Sequence, residues 1–163
     1  MKNSLAPLLL AVIAMSCSPA HASKRKKPRS LALRLNNLTS NTKTFMNLHS
    51  ENKKRLGKNG NFCTLNHGTL SFPLISRNGA VLKAKKSISF EEYKYPISKV
   101  LKQAKLNDRE KSNLKELLLI TRQLIKTFKL PDDVLKVEKA AKQHGIKIGF
   151  TDTIKIFLRG ISD

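Results

Sequence analysis

The sequence has no tryptophan, two tyrosines, two cysteines and only 11 acidic residues among 163. Cys17 falls in the apolar N-terminal segment, so Cys63 has no intrachain partner once that segment is removed. The disulfide framework of small secreted domains is thereby excluded. Two outcomes stay open for Cys63: a buried, inert thiol, which is favoured, or pairing with a second chain as in a homodimer. Aromatic residues are scarce, and the seven phenylalanines fall mostly at core-like positions, which argues against a base-stacking reader of nucleic acid. The sequence shows neither a glycine-rich phosphate loop nor a nucleophile elbow. His49, His67 and His144 lack metal spacing, and Cys63-x3-His67 offers two ligands of the four that a zinc site needs. The acidic pair Asp132-Asp133 reads as a helix start. Glu91-Glu92 reads as local charge relief in a linker. No enzyme activity, metal or cofactor is expected.

Long apolar runs are confined to the N-terminus. Lys2 precedes the apolar stretch Leu5–Met15, and Ala20-His21-Ala22 is a small-x-small cleavage site. Residues 1–22 therefore read as a secretory signal. The stretch is shorter than the roughly 20 residues of a spanning helix. A retained anchor, or lipoprotein processing at Cys17, are the weaker alternatives. Further on, the longest apolar run is Leu117–Ile120, far too short to cross a bilayer.

What is abundant is positive charge. The leader removes one of 32 basic residues, Lys2, which leaves 31 against 11 acidic ones, a net charge of +20. The excess is polarised: +10 over residues 23–60, +6 over 61–107 and +4 over 108–163. Such a field attracts anionic membranes and glycans and accelerates encounter with them. Residues 23–30 form a polybasic arm, expected to be disordered alone, with Lys24, Arg25, Lys26, Lys27 and Arg29. The arm could serve polyanion contact or proteolytic processing. With Lys53, Lys54, Arg55, Lys58, Lys83, Lys85 and Lys86 it makes the candidate binding patch. Nucleic acid is expected to bind only nonspecifically, and the turn-like Ala141-x3-Gly145-Ile146 is too short a pattern to change that.

The hydrophobic pattern is mainly helical. Residues 30–56 place Leu31, Leu35, Leu38, Phe45 and Met46 on one face, with a break expected near Asn41. Asn37-Leu38-Thr39 is a glycosylation sequon. Pro96 suits a first helical turn followed by Ile97, Val100 and Leu101. The strongest helix spans about 108–129, capped by Asn107 or Asp108 and ended by Pro131. Its apolar face carries Leu114, Leu117, Leu118, Leu124, Ile125 and Phe128, flanked by Arg109, Lys111, Lys115, Arg122, Lys126 and Lys129. That face suits a bundle core and, if the bundle opens, an anionic interface. A helix from Val134 to about His144 with Gly145 behind it, and a short one after Asp152 with Ile154, Phe157, Leu158 and Ile161, complete the pattern.

Between them, 57–90 reads as a loop-rich insert with one short hairpin. Pro73 demotes Thr69–Ile75 to an edge or loop. The fold class expected is all-α: an irregular bundle of about four to five helices forming a single domain over 31–163.

The leader through Met15-Ser16-Cys17, the arm Lys24–Arg29 and the amphipathic helices 96–105, 108–129 and 133–144 together resemble the abalone sperm acrosomal protein family, that of lysin and its fusagenic relative. The resemblance lies in whole-chain format and carries no site residues. It implies non-enzymatic action on an egg coat or a membrane, and storage in a secretory vesicle such as the acrosome. The absence of Trp and the Lys-rich helices point to coat binding or fusion more than to coat dissolution. The alternatives are a host-defence, antimicrobial or glycan-binding effector and a bacterial periplasmic protein. The common expectation is a secreted cationic protein whose partner is an anionic membrane surface or an extracellular glycoprotein or glycan.

Overall fold

A computed structural model describes residues 30–57, 62–149 and 152. The leader, the arm through Arg29, Lys58 and the expected helix with Ile154, Phe157, Leu158 and Ile161 lie outside the described residues. The chain order is α1 (Leu31–Leu56), β1 (Thr64–Asn66), β2 (Thr69–Ile75), β3 (Val81–Ser89), α2 (Glu91–Lys102), α3 (Asp108–Phe128) and α4 (Val137–Gln143).

The expectation of an all-α fold, an irregular bundle of about four to five helices, is corrected. Residues 64–89 form a three-stranded antiparallel sheet in the order β1-β2-β3. His67-Gly68 joins the first two strands, with φ of 47° and 71°. Two successive positive φ angles are what a tight hairpin turn requires. Leu70, Phe72 and Ile75 of β2 and Ile88 of β3 are buried. Their burial beside the helices gives the sheet an apolar face and holds it in place. Pro73 sits in the middle strand, yet β1 pairs only with Thr69–Ser71 and does not reach it. A register shift between Pro73 and Ile75 further relaxes the ladder there. The proline is thus accommodated where β2 is locally an edge.

α1 is the hub on which α2, α3, β2 and β3 all pack. The break expected at Asn41 is absent, and the helix runs unbroken for 26 residues. Thr39 and Thr42 donate to the carbonyls of Leu35 and Leu38 at 2.9 and 2.7 Å. These hydroxyls are satisfied within the helix and do not compete with it. Thr42 also hydrogen-bonds the Tyr93 hydroxyl, joining α1 to α2 inside the core. Both residues are fully buried, and burial pushes the Tyr93 phenol well above its ordinary range. Thr42→Val would leave that phenol unpaired and should cost about 1–3 kcal/mol of stability. Urea unfolding of this variant measures the loss, and a midpoint equal to that of the parent protein would contradict the role.

α2 begins at Glu91, not at Pro96. Glu91 and Glu92 occupy its first turn, where the helix dipole favours acids, so the expected linker is helical. α3 matches the sequence pattern. Asn107 accepts from the Glu110 amide at 2.8 Å and the Glu110 carboxylate accepts from the Asn107 amide at 3.0 Å, closing a capping box. α4 is shorter than expected, and Asp132-Asp133 lie in the turn before it. Gly145, with φ of 65°, follows its end.

Candidate functional site

The candidate patch combines the last turn of α1 with β3. Lys53, Lys54 and Arg55 end α1, where cations complement the carbonyl end of the helix. Packing then brings them to the sheet. The Asn52 amide donates to the Pro73 carbonyl at 3.0 Å, and Arg55 Nη1 donates to the Ile75 carbonyl at 2.8 Å. Both acceptors lie at the irregular stretch of β2, where the ladder shifts register. Across that ladder Pro73 pairs with Lys85 and Phe72 with Lys86. One short path of hydrogen bonds and strand pairs therefore links the α1 cations to the β3 cations. Lys53, Lys54, Arg55, Lys83 and Lys85 are exposed, and Lys86 is half-buried opposite Phe72.

Neutralisation occurs elsewhere. The described ion pairs are Lys43–Glu116, Lys94–Glu91, Lys115–Asp152 and Arg122–Glu138. None uses a cation of the α1–β3 face. Glu51 is the single acid among residues 23–60 of the sequence.

Behind this face lies a cage of rings. His49 is buried on α1, with Phe128 at 4.7 Å, Phe62 at 5.5 Å and Phe72 at 5.6 Å between ring centroids. Burial, helped by the charge of Lys53, lowers the His49 pKa below 6.5. The unfolded chain then binds more protons than the folded one as pH falls below about 6.5, so stability declines there. The thermal midpoint should drop more steeply between about pH 7.5 and about pH 5.5 in the parent protein than in His49→Leu. Parallel profiles in the two proteins would contradict this assignment.

The remaining candidates are placed as follows. Leu114, Leu117, Leu118 and Leu124 are buried, and Ile125 and Phe128 pack half-buried against the same core. The apolar face of α3 is thus covered by the protein itself. Asn37 is half-buried on α1, and Thr39 of its sequon is buried. Cys63 is half-buried, and desolvation pushes its thiol up to about 11, away from the reactive thiolate. Among the described residues, no group of three His, Cys, Asp or Glu side chains is placed to hold a metal, and no helix is long and apolar enough to cross a membrane. His144 and Gln143 bond the Val100 and Leu101 carbonyls, tying α4 to α2.

Three surface features had no clear signal in the sequence. An open depression of about 630 Å³ between α3 and α4 is rimmed by Arg122, Lys126, Lys129 and Lys142 against Asp132 and Glu138. Its Arg122 is matched by Glu138 through contacts of 3.0 and 2.7 Å. The exposed ring of Tyr95 lies 4.7 Å from the Arg34 guanidinium and 5.6 Å from the Lys99 ammonium. Val81 and Leu82, beside the β3 lysines, are 65% and 43% exposed. Only the adjacency of two apolar residues to Lys83 in the sequence hinted at the last of these.

No family model, curated protein or solved structure matches this chain.

Proposed function

We propose that this is a secreted, non-enzymatic, cationic protein that binds an anionic extracellular partner through the face built from the end of α1 and β3. The observation that carries the reading is that the Asn52 and Arg55 bonds tether the end of α1, with exposed Lys53 and Lys54, to the strand pair whose β3 carries exposed Lys83 and Lys85, while the described ion pairs use other cations. Unpaired exposed lysines keep their charge available, and a cluster of one sign focuses the field on a polyanion. Membranes bearing anionic lipid and sulfated glycans both present such a target. The leader and the polybasic arm support the same reading from the sequence, since a secretory signal would carry this excess of positive charge outside the cell. Sperm–egg recognition and host defence are two settings that would use it.

Titration calorimetry with heparin and with phosphatidylserine vesicles tests the proposal. Binding at low salt that weakens steeply as salt rises is expected, because each contact releases bound counterions or loses attraction to screening. Absence of binding to both at low salt would overturn it.

A further inference from the structure

The sequence offered the apolar face of α3 as bundle core or, if the bundle opens, as an anionic interface, and in the structure that face is packed into the core. The apolar surface left beside the cations is at the other end of the molecule's sheet. Residues 77–85, the distal half of the β2–β3 hairpin, are exposed without interruption. The turn itself is well formed: the Ser76 amide donates to the Ala80 carbonyl at 2.9 Å, and the Gly79 amide to the Ser76 carbonyl at 3.0 Å. This is an ordered hairpin end standing clear of the body. Just past its turn it carries Val81 and Leu82, with Arg77, Lys83 and Lys85 around them.

We propose that this hairpin end is a membrane-inserting element, with Val81 and Leu82 entering the acyl boundary of an anionic bilayer and Arg77, Lys83 and Lys85 holding the headgroups. The inference rests on the reading of the α1–β3 face as a polyanion-binding surface and names its partner as lipid. The geometry favours a fluid partner. Successive side chains of a strand point to opposite faces, so Val81 and Leu82 present apolar surface on both sides of the hairpin. A rigid protein groove covers one side, whereas lipid wraps both. A hydrated sulfated glycan satisfies the lysines and gains nothing from the valine and leucine. A second copy of the chain, adding its own β3 to this edge, would bring lysines against lysines, and the register irregularity by Pro73 also disfavours strand addition. Apolar residues in the interface with cations at headgroup level is the arrangement of proteins that lie on, and do not cross, a membrane.

The protein has no tryptophan, so Leu82→Trp introduces a single reporter at an exposed site. With phosphatidylserine-containing vesicles its emission should shift to the blue and be quenched by brominated acyl chains. Sedimentation with the same vesicles should show Val81→Ser/Leu82→Ser partitioning roughly tenfold more weakly than the parent. Heparin affinity, set by the cations, is measured beside it. An unshifted emission on bound vesicles, or equal partitioning of the double variant, would overturn the insertion while leaving polyanion binding standing. A parent protein that binds neither heparin nor vesicles would remove both.

Discussion

Phe45→Ala should lower the free energy of unfolding by about 3–5 kcal/mol, the usual cost of removing a fully buried ring. Phe45 has no exposed surface. It lies 4.9 Å from the Phe72 ring on β2 and 5.8 Å from the Phe128 ring on α3. Three elements far apart in sequence meet at this one side chain. Truncation loses both aromatic contacts and leaves a cavity that the helix and the sheet cannot close, because hydrogen bonds from Asn52 and Arg55 hold α1 on β2 about two and about three turns further on. Small domains are stable by only about 5–15 kcal/mol, so the loss takes a large share. Urea unfolding should show a lower midpoint with an unchanged slope. A loss below about 1 kcal/mol would mean that the sheet is not seated on α1 through this ring.

The second large effect concerns binding. The quadruple variant Lys53→Glu, Lys54→Glu, Lys83→Glu, Lys85→Glu should weaken association with phosphatidylserine vesicles by roughly 10³-fold. A lysine near an anionic surface contributes about 1 kcal/mol, and four such losses give about 4 kcal/mol, or roughly three decades in Kd. Reversal adds repulsion to the loss. Stability should fall by only about 1–2 kcal/mol, the cost of placing two acids at the carbonyl end of α1, since all four side chains are exposed and none takes part in a described ion pair. Arg55 and Asn52 are left in place because they hold α1 to the carbonyls of β2.

Legibility in the sequence followed physical cause. α3 was readable because Asn107 is a helix-capping residue and Leu114, Leu117, Leu118 and Leu124 recur at helical spacing, and all four leucines are buried. The turn at Asn78-Gly79 falls in the stretch expected to hold a short hairpin, and Asn-Gly supplies the local chemistry of such a turn. β3 was not readable. Its outer half is exposed on both faces, and the brief alternation Leu82-Lys83-Ala84-Lys85 is broken at Lys86, too short a period to mark a strand. β2 was concealed by Pro73, whose placement depends on how short β1 is. The continuity of α1 was hidden by Asn41, Thr39 and Thr42, since only the folded structure supplies the carbonyls and the Tyr93 phenol that satisfy the threonines. The basic residues of the site were visible individually. The tether between their two elements was not, because it depends on side chain to backbone bonds that span 20 and 21 residues.

The central claim is that the position of the charge, and not its total, determines binding. A second quadruple variant, Lys102→Glu, Lys105→Glu, Lys139→Glu, Lys147→Glu, changes the net charge by the same amount at exposed lysines away from the α1–β3 face. Vesicle affinity of the two variants at one salt concentration is the most direct measurement. The account predicts roughly 10³-fold weakening for the face variant and less than about tenfold for the other, whose lysines act only through the long-range field. Equal weakening in both would show that the protein binds through its overall charge and that the α1–β3 face is no site.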